Sequence, residues 1–356
     1  MNMMKKFFFS MVCAGLAISA SAQQAVELKQ QNMAKWDIGG ANYSGISPMG
    51  KNRYAMVSDK EPADGFYVFR IDQNMTDGRV VSMYLEGFYG NPNPQTDNMG
   101  MNVRDCEGVA YLPSTNTVFI SGEGDQRILE YRMDGSLSGR RLLVPDVFAS
   151  DKIVSNYGFE ALTYSPETHT FWTTTESTLK KDGPCAGPQN PGALNLLRIQ
   201  SFGENMLPKK QYAYRMDQGK KDDFGKTYVY GVSAMTALPN GKLLVMEREA
   251  DVSYGEMSSQ VICKIFMVDP NMSWQIDAST DLKRLDSNKF MVKTLIATFK
   301  TKMTPFKHNF ANYEGMCLGE KLSDGRQTLL LVCDSQNNFG KGPVRLKDYI
   351  KVLILP

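Results

Sequence analysis

Apolar and polar positions along this chain alternate with a period of two, and no segment settles into the 3.6-residue spacing of an amphipathic helix. One pattern recurs five times. Each copy opens with a small or acidic residue, then Gly or Ala, an aliphatic residue and a small one: Ser44-Gly-Ile-Ser47, Glu107-Gly-Val-Ala110, Glu160-Ala-Leu-Thr163, Ser233-Ala-Met-Thr236 and Glu314-Gly-Met-Cys317. A turn rich in Pro, Gly or Asn follows, then a β-rich run closing on an acid: Asp59, Glu123, Glu176, Glu247 or Asp334. Two strands joined by a hairpin fit each copy.

A third alternating run follows in every copy (66–71, 128–133, 196–199, 264–268, 349–355) and a fourth in the first four (80–85, 141–144, 211–214, 293–299). Segment 26–38, ahead of the first copy, can supply the missing fourth strand and close a ring. The predicted fold is an all-β propeller of five four-stranded units, closed by the N-terminal strand. The spacing leaves room for a sixth blade, and a β-sandwich of similar hairpins is the alternative. Segments 180–193, 218–227 and 271–289 read as polar loops.

Of the 356 residues 42% are hydrophobic and 22% charged, ordinary globular usage for a single domain. Met1–Ala22 has the form of a secretory signal: Lys5 and Lys6, an apolar run too short to span a bilayer, and Ala20-Ser21-Ala22 as cleavage site. Without those lysines the 40 Lys and Arg come level with the 38 Asp and Glu. That balance argues against a nucleic-acid partner, and no later stretch reaches membrane length. A propeller domain over 23–356, periplasmic or extracellular and monomeric, is expected. The cysteines lack Cys-x-x-Cys spacing and only His169 and His308 are present, so any metal must be held by oxygen. Counting outward from a turn at Gly325, Cys317 and Cys333 should face each other across the last hairpin, close enough for a disulfide.

The same counting brings eight carboxylates to one rim: Glu107, Glu160 and Glu314 from first strands, and Asp59, Glu123, Glu176, Glu247 and Asp334 from the ends of second strands. Like charges across a strand pair are destabilising, so something must compensate. A hard divalent cation such as Ca²⁺ would take six to eight oxygens from these acids, Asn312, Asn337, Asn338 and backbone carbonyls. Alternatively, one acid of each pair stays protonated and serves as a general acid, or Arg104, Lys60 and Arg248 neutralise the rim. Serine-triad and Rossmann motifs are absent.

Tyr43–Ser47, Asn156–Leu162, Gly231–Met235 with Leu244–Arg248, and Asn312–Met316 with Asp324-Gly-Arg326 and Asp334–Phe339 together resemble the secreted "esterase-like activity of phytase" family. The resemblance runs from about Gly39 to Pro356 and implies an exported propeller classed with phytase-like phosphoester hydrolases. The Ca²⁺-binding motif of the alkaline propeller phytases and the Arg-His-Gly of histidine acid phosphatases are both missing. The openings at Glu107 and Glu314 are similar to the metal-binding glutamate of gluconolactonase propellers, which makes lactone or ester hydrolysis a second chemistry and a non-catalytic binding propeller a third reading. On this basis Glu107, Glu160 and Glu314 are the candidate catalytic and metal-binding residues, with Glu123, Glu176 and Asp334 as further ligands. Arg104, Arg248, Lys60 and Asn338 would meet a small anionic or ester substrate.

Overall fold

The computed structural model describes residues 24–356 apart from 60, 254–256, 305, 339, 341, 343 and 344, so the expected leader and Lys60 lie outside the described residues. Each repeat is an antiparallel sheet of consecutive strands. Blade 1 comprises Tyr43–Gly50, Arg53–Ser58, Gly65–Gln73 and Val80–Gly90; blade 2, Cys106–Leu112, Thr117–Gly122, Arg127–Tyr131 and Leu137–Arg141. Blade 3 comprises Phe159–Ser165, Thr170–Thr175, Leu196–Gly203 and Pro208–Arg215; blade 4, Thr227–Ala237, Leu243–Val252, Gln260–Val268 and Lys293–Thr304. Blade 5 has Asn312–Lys321, Gln327–Asp334 and Tyr349–Ile354, and Val26–Glu27 and Gln31–Asn32 pair with its last strand to close the ring. Lys351 Nζ, 2.6 Å from Glu27 Oε1, secures that closure.

Five blades complete the ring, and the length that left room for a sixth goes into insertions. One of these lays Gln275–Ile276 against the outer edge of blade 3, and Lys307–His308 pairs along the edge of blade 4. No helix among the described residues is long and apolar enough to cross a membrane.

The repeat has a packing cause. Strand residues of alternating parity face the blades on either side and build five inter-blade cores, such as Ala55, Val57, Val109 and Ile120 between blades 1 and 2. The inner strands meet around the axis, and there the second residue of the repeat must be small. A Cβ on Gly45 would fall 2.3 Å from the Glu107 carbonyl oxygen, and one on Gly108 would fall 2.6 Å from that of Glu160.

The first residue of the repeat is the extra residue of a β-bulge in every blade. The register shifts between Tyr43 and Gly45, Cys106 and Val109, Phe159 and Ala161, Val232 and Ala234, and Tyr313 and Gly315. A bulge re-aims the side chain it inserts and is common beside active sites.

Register counting fails in blade 5, where the turn centres one residue before Gly325 and a further irregularity lies between Leu318 and Lys321. Cys317 pairs with Leu330, and Cys333 with Tyr313. The two thiols also face different cores, Cys317 toward blade 1 and Cys333 toward blade 4, and both are free. A disulfide is therefore ruled out. Glu314 nevertheless lies within two residues of Asn312, the partner of Asp334, as expected.

Asp348 sits at the closure, where its Oδ2 accepts the Ala41 amide at 3.1 Å. Burial pushes its carboxyl up to about 7, with that amide acting in the opposite direction. The folded chain thus keeps a proton that the unfolded chain releases near 3.8, so the stability it confers at acid pH is lost as pH rises toward 7. With one pKa unit worth about 1.4 kcal/mol, Asp348→Asn is expected to gain a few kcal/mol over wild type at pH 8 and almost nothing at pH 4. Urea unfolding at the two pH values checks this; equal gains at both would refute it.

Candidate acidic site at the channel mouth

The bulge residues gather around the axis at one end of the ring. Ser44, Glu160, Ser233 and Glu314 line the axial space, and Glu107 lies against Glu160. That space is only about 10 Å³, the least that holds one water, so no substrate threads the ring and chemistry is confined to the mouth.

Two acidic triads share Glu107. Carboxylate oxygens of Glu107, Glu123 and Glu160 lie within 4.8 Å of one another, as do those of Asp59, Asp105 and Glu107. Glu123 Oε1 accepts the Gly158 amide at 2.8 Å, which ties blade 2 to the start of blade 3. Glu107 and Glu160 are 6% and 8% exposed, and neither makes a hydrogen bond or ion pair within the described residues. Burial first, then Glu160, Asp59, Glu314 and Asp105, push Glu107 well above the usual carboxylate range. Burial does the same to Glu160, reinforced by Glu176, Glu123 and Glu314. An all-oxygen donor set in which the buried Glu107 and Glu160 carboxylates have no partner among the described residues fits a hard divalent cation.

The other half of the mouth is already partly neutralised, one guanidinium serving two carboxylates. Arg248 donates from Nη1 to Glu314 Oε1 at 2.6 Å and to Asn312 Oδ1 at 2.8 Å, and from Nη2 to Glu176. Asn312 Nδ2 in turn donates to Glu314 Oε1 at 2.7 Å. Burial alone would lower the pKa of the guanidinium, but Glu176, Glu314 and Glu160 outweigh it and hold it charged.

Several expected site residues take other positions. Glu247 does not face the mouth: its strand runs on to Val252, and the side chain turns into the blade 3–4 interface. There it accepts from Tyr214 Oη at 2.7 Å, Tyr230 Oη at 3.0 Å and Lys293 Nζ at 2.6 Å. Arg104 is buried in blade 2, on Asp125 at 2.5 Å and on the Ile120 carbonyl at 3.0 Å. Asn338, with its amide oriented to satisfy both ends, bridges the Gly40 amide and the Leu346 carbonyl at the ring closure. Asp334 Oδ1 accepts the Gln336 amide at 2.6 Å. His169 is exposed beside Glu204, as its turn position predicts.

Asp105 is the mouth acid that sequence reasoning missed. It precedes Glu107 by two residues, the spacing that puts strand side chains on one side. It stands in the left-handed region (φ 53), with its amide on Asn102 Oδ1 at 3.2 Å.

The family model described as "Phytase-like: Esterase-like activity of phytase" matches residues 38–339. No curated protein matches the chain. Among solved structures, the endo-arabinase from Bacteroides thetaiotaomicron is similar at 12% identity and TM-score 0.45, over 94% of this chain and 97% of that one. XC5397 from Xanthomonas campestris, a gluconolactonase, is similar at 10% identity and TM-score 0.35, over 95% and 99%. Virginiamycin B lyase from Staphylococcus aureus is similar at 12% identity and TM-score 0.36, over 92% and 99%.

Proposed function

The chain belongs to the phytase-like family, esterase-like activity of phytase, and on that premise we propose that it is an exported, monomeric hydrolase of small phosphoesters or esters. It would depend on a divalent cation, Ca²⁺ by its donor chemistry. The observation that carries this reading is the pair Glu107 and Glu160, more than nine-tenths buried and without hydrogen-bond or ion-pair partners among the described residues, beside Glu123. Left ionised and uncompensated, such a cluster is costly; with a cation in place the same carboxylates become ligands.

Glu107, Glu123 and Glu160 would hold the ion. When bound it polarises a phosphoryl or carbonyl oxygen and lowers the pKa of water. The chain's own residues supply the rest. Arg248 fixes Glu176 and Glu314 and keeps them from competing for the substrate's cationic partner. The narrow axial space excludes bulk water from below, and an acid at the end of a second strand takes up the proton released in hydrolysis.

The test is metal content of the purified protein, then a panel of phosphoesters, carboxylic esters and lactones with and without chelator. Chelator-sensitive turnover restored by Ca²⁺, and retained in His308→Ala, is expected. Cation uptake with no turnover on the whole panel would instead favour a binding propeller.

A further inference from the structure

We infer that Arg248 is a built-in cation: its guanidinium fills, on the Glu176–Glu314 side of the mouth, the place that a second divalent ion would otherwise take. The inference rests on the metal-binding reading of the other half.

Blade 4 differs from both of its neighbours, although blade 1 likewise carries a serine, Ser44, at its bulge. At the mouth, blades 2, 3 and 5 each set a glutamate at the bulge, whereas blade 4 sets Ser233. The acid that closes its second-strand pattern, Glu247, is turned away and saturated by two tyrosines and a lysine. The next residue, Arg248, has the opposite strand parity and points at the mouth. Blade 4 therefore delivers a positive charge where its neighbours deliver negative ones.

The surroundings of Arg248 are those of a cation site. It is 5% exposed, and its amino groups are met by oxygens of Glu314, Asn312 and Glu176, two carboxylates and an amide that are also the donors Ca²⁺ takes. The backbone has been shaped around this contact. Gly231 pairs with Arg248, and a Cβ there would lie 2.3 Å from Glu176 Cγ, so only glycine lets Glu176 reach across. Arginine stays charged at any working pH and survives a chelator, so half of the mouth keeps a positive charge between its two carboxylates when the other half is empty.

Arg248→Met, dialysed against Ca²⁺ and analysed for calcium per chain, is expected to take up one equivalent more than wild type, and Ca²⁺ should restore its unfolding midpoint. Equal uptake by wild type and variant overturns the role of Arg248. No uptake by wild type overturns the metal reading of Glu107, Glu123 and Glu160, whatever the variant does. A variant that folds only when Ca²⁺ is added supports the inference. If it folds under neither condition, Glu314→Gln decides, because the amide still accepts from Arg248. Uptake equal to wild type supports the inference, and loss of an equivalent shows that Glu314 already holds metal and overturns it.

Discussion

Glu107→Gln is expected to abolish Ca²⁺ uptake at the mouth and to bring any hydrolysis to background, while raising the unfolding midpoint of the metal-free protein by a few degrees. The two effects have opposite signs because Glu107 belongs to both triads, with Glu123 and Glu160 on one side and Asp59 and Asp105 on the other. As a ligand it is needed, and losing several kcal/mol of metal-derived transition-state stabilisation corresponds to a rate loss of about 10³-fold or more. Without the ion it is a buried acid among like charges, and a neutral amide of the same shape relieves that repulsion. In wild type, Ca²⁺ should raise the midpoint by mass action and chelator should lower it; in Glu107→Gln neither should have an effect. Scanning calorimetry of both proteins with EDTA and with Ca²⁺ measures this. A variant that keeps the full Ca²⁺-dependent gain would show that the ion binds elsewhere.

The five-fold architecture was legible because every inner strand meets the same neighbours, and the same four-residue pattern is needed to let inner strands touch. What could not be read was any quantity that depends on one residue more or less. In blade 5 the pair Lys321 and Gln327 centres the turn one residue before Gly325, and an irregularity between Leu318 and Lys321 adds one residue more, so counting from Gly325 misplaced Cys317 against Cys333 by three positions. Blade 2 shows the same limit. Its fourth strand occupies Leu137–Arg141 rather than 141–144, because Gly135, at φ 87, closes the turn immediately after the third strand.

Strand parity explains the mixed outcome at the site. Glu107, Glu123 and Glu160 could be brought together from sequence because all three sit at strand ends whose direction the repeat fixes. In blade 4 the strand continues past Glu247, and the alternation hands the mouth to Arg248 instead. Arg104 and Arg248 both stand close to repeat acids in sequence. Only the three-dimensional partners, Asp125 for one and Glu176 with Glu314 for the other, separate a fold-holding arginine from one at the mouth.

Two of the insertions that read as polar loops, 180–193 and 271–289, are held by a buried ion pair, and Asp182→Ala is expected to lower the free energy of unfolding by about 3–5 kcal/mol, the range for stripping one partner from such a pair. Arg198 and Asp182 are both 0% exposed, with Nε 2.6 Å from Oδ2. The guanidinium, rooted in the third blade, also reaches Gln211 Oε1 at 2.8 Å and the carbonyls of Asp277 at 3.0 Å and Thr280 at 2.5 Å. One side chain thereby fastens both 180–193 and 271–289 to the same sheet. Asp182→Ala leaves that positive charge buried with carbonyl oxygens but no counter-charge. Replacing both residues, Asp182→Leu with Arg198→Met, removes the charges together and is expected to cost less than the single change, even though two carbonyls lose their donor. Urea unfolding of the three proteins, compared at equal slope, gives the ranking. A single variant within about 1 kcal/mol of wild type, the scale of an exposed pair, would mean that water reaches Arg198 and that the insertions are held by other contacts.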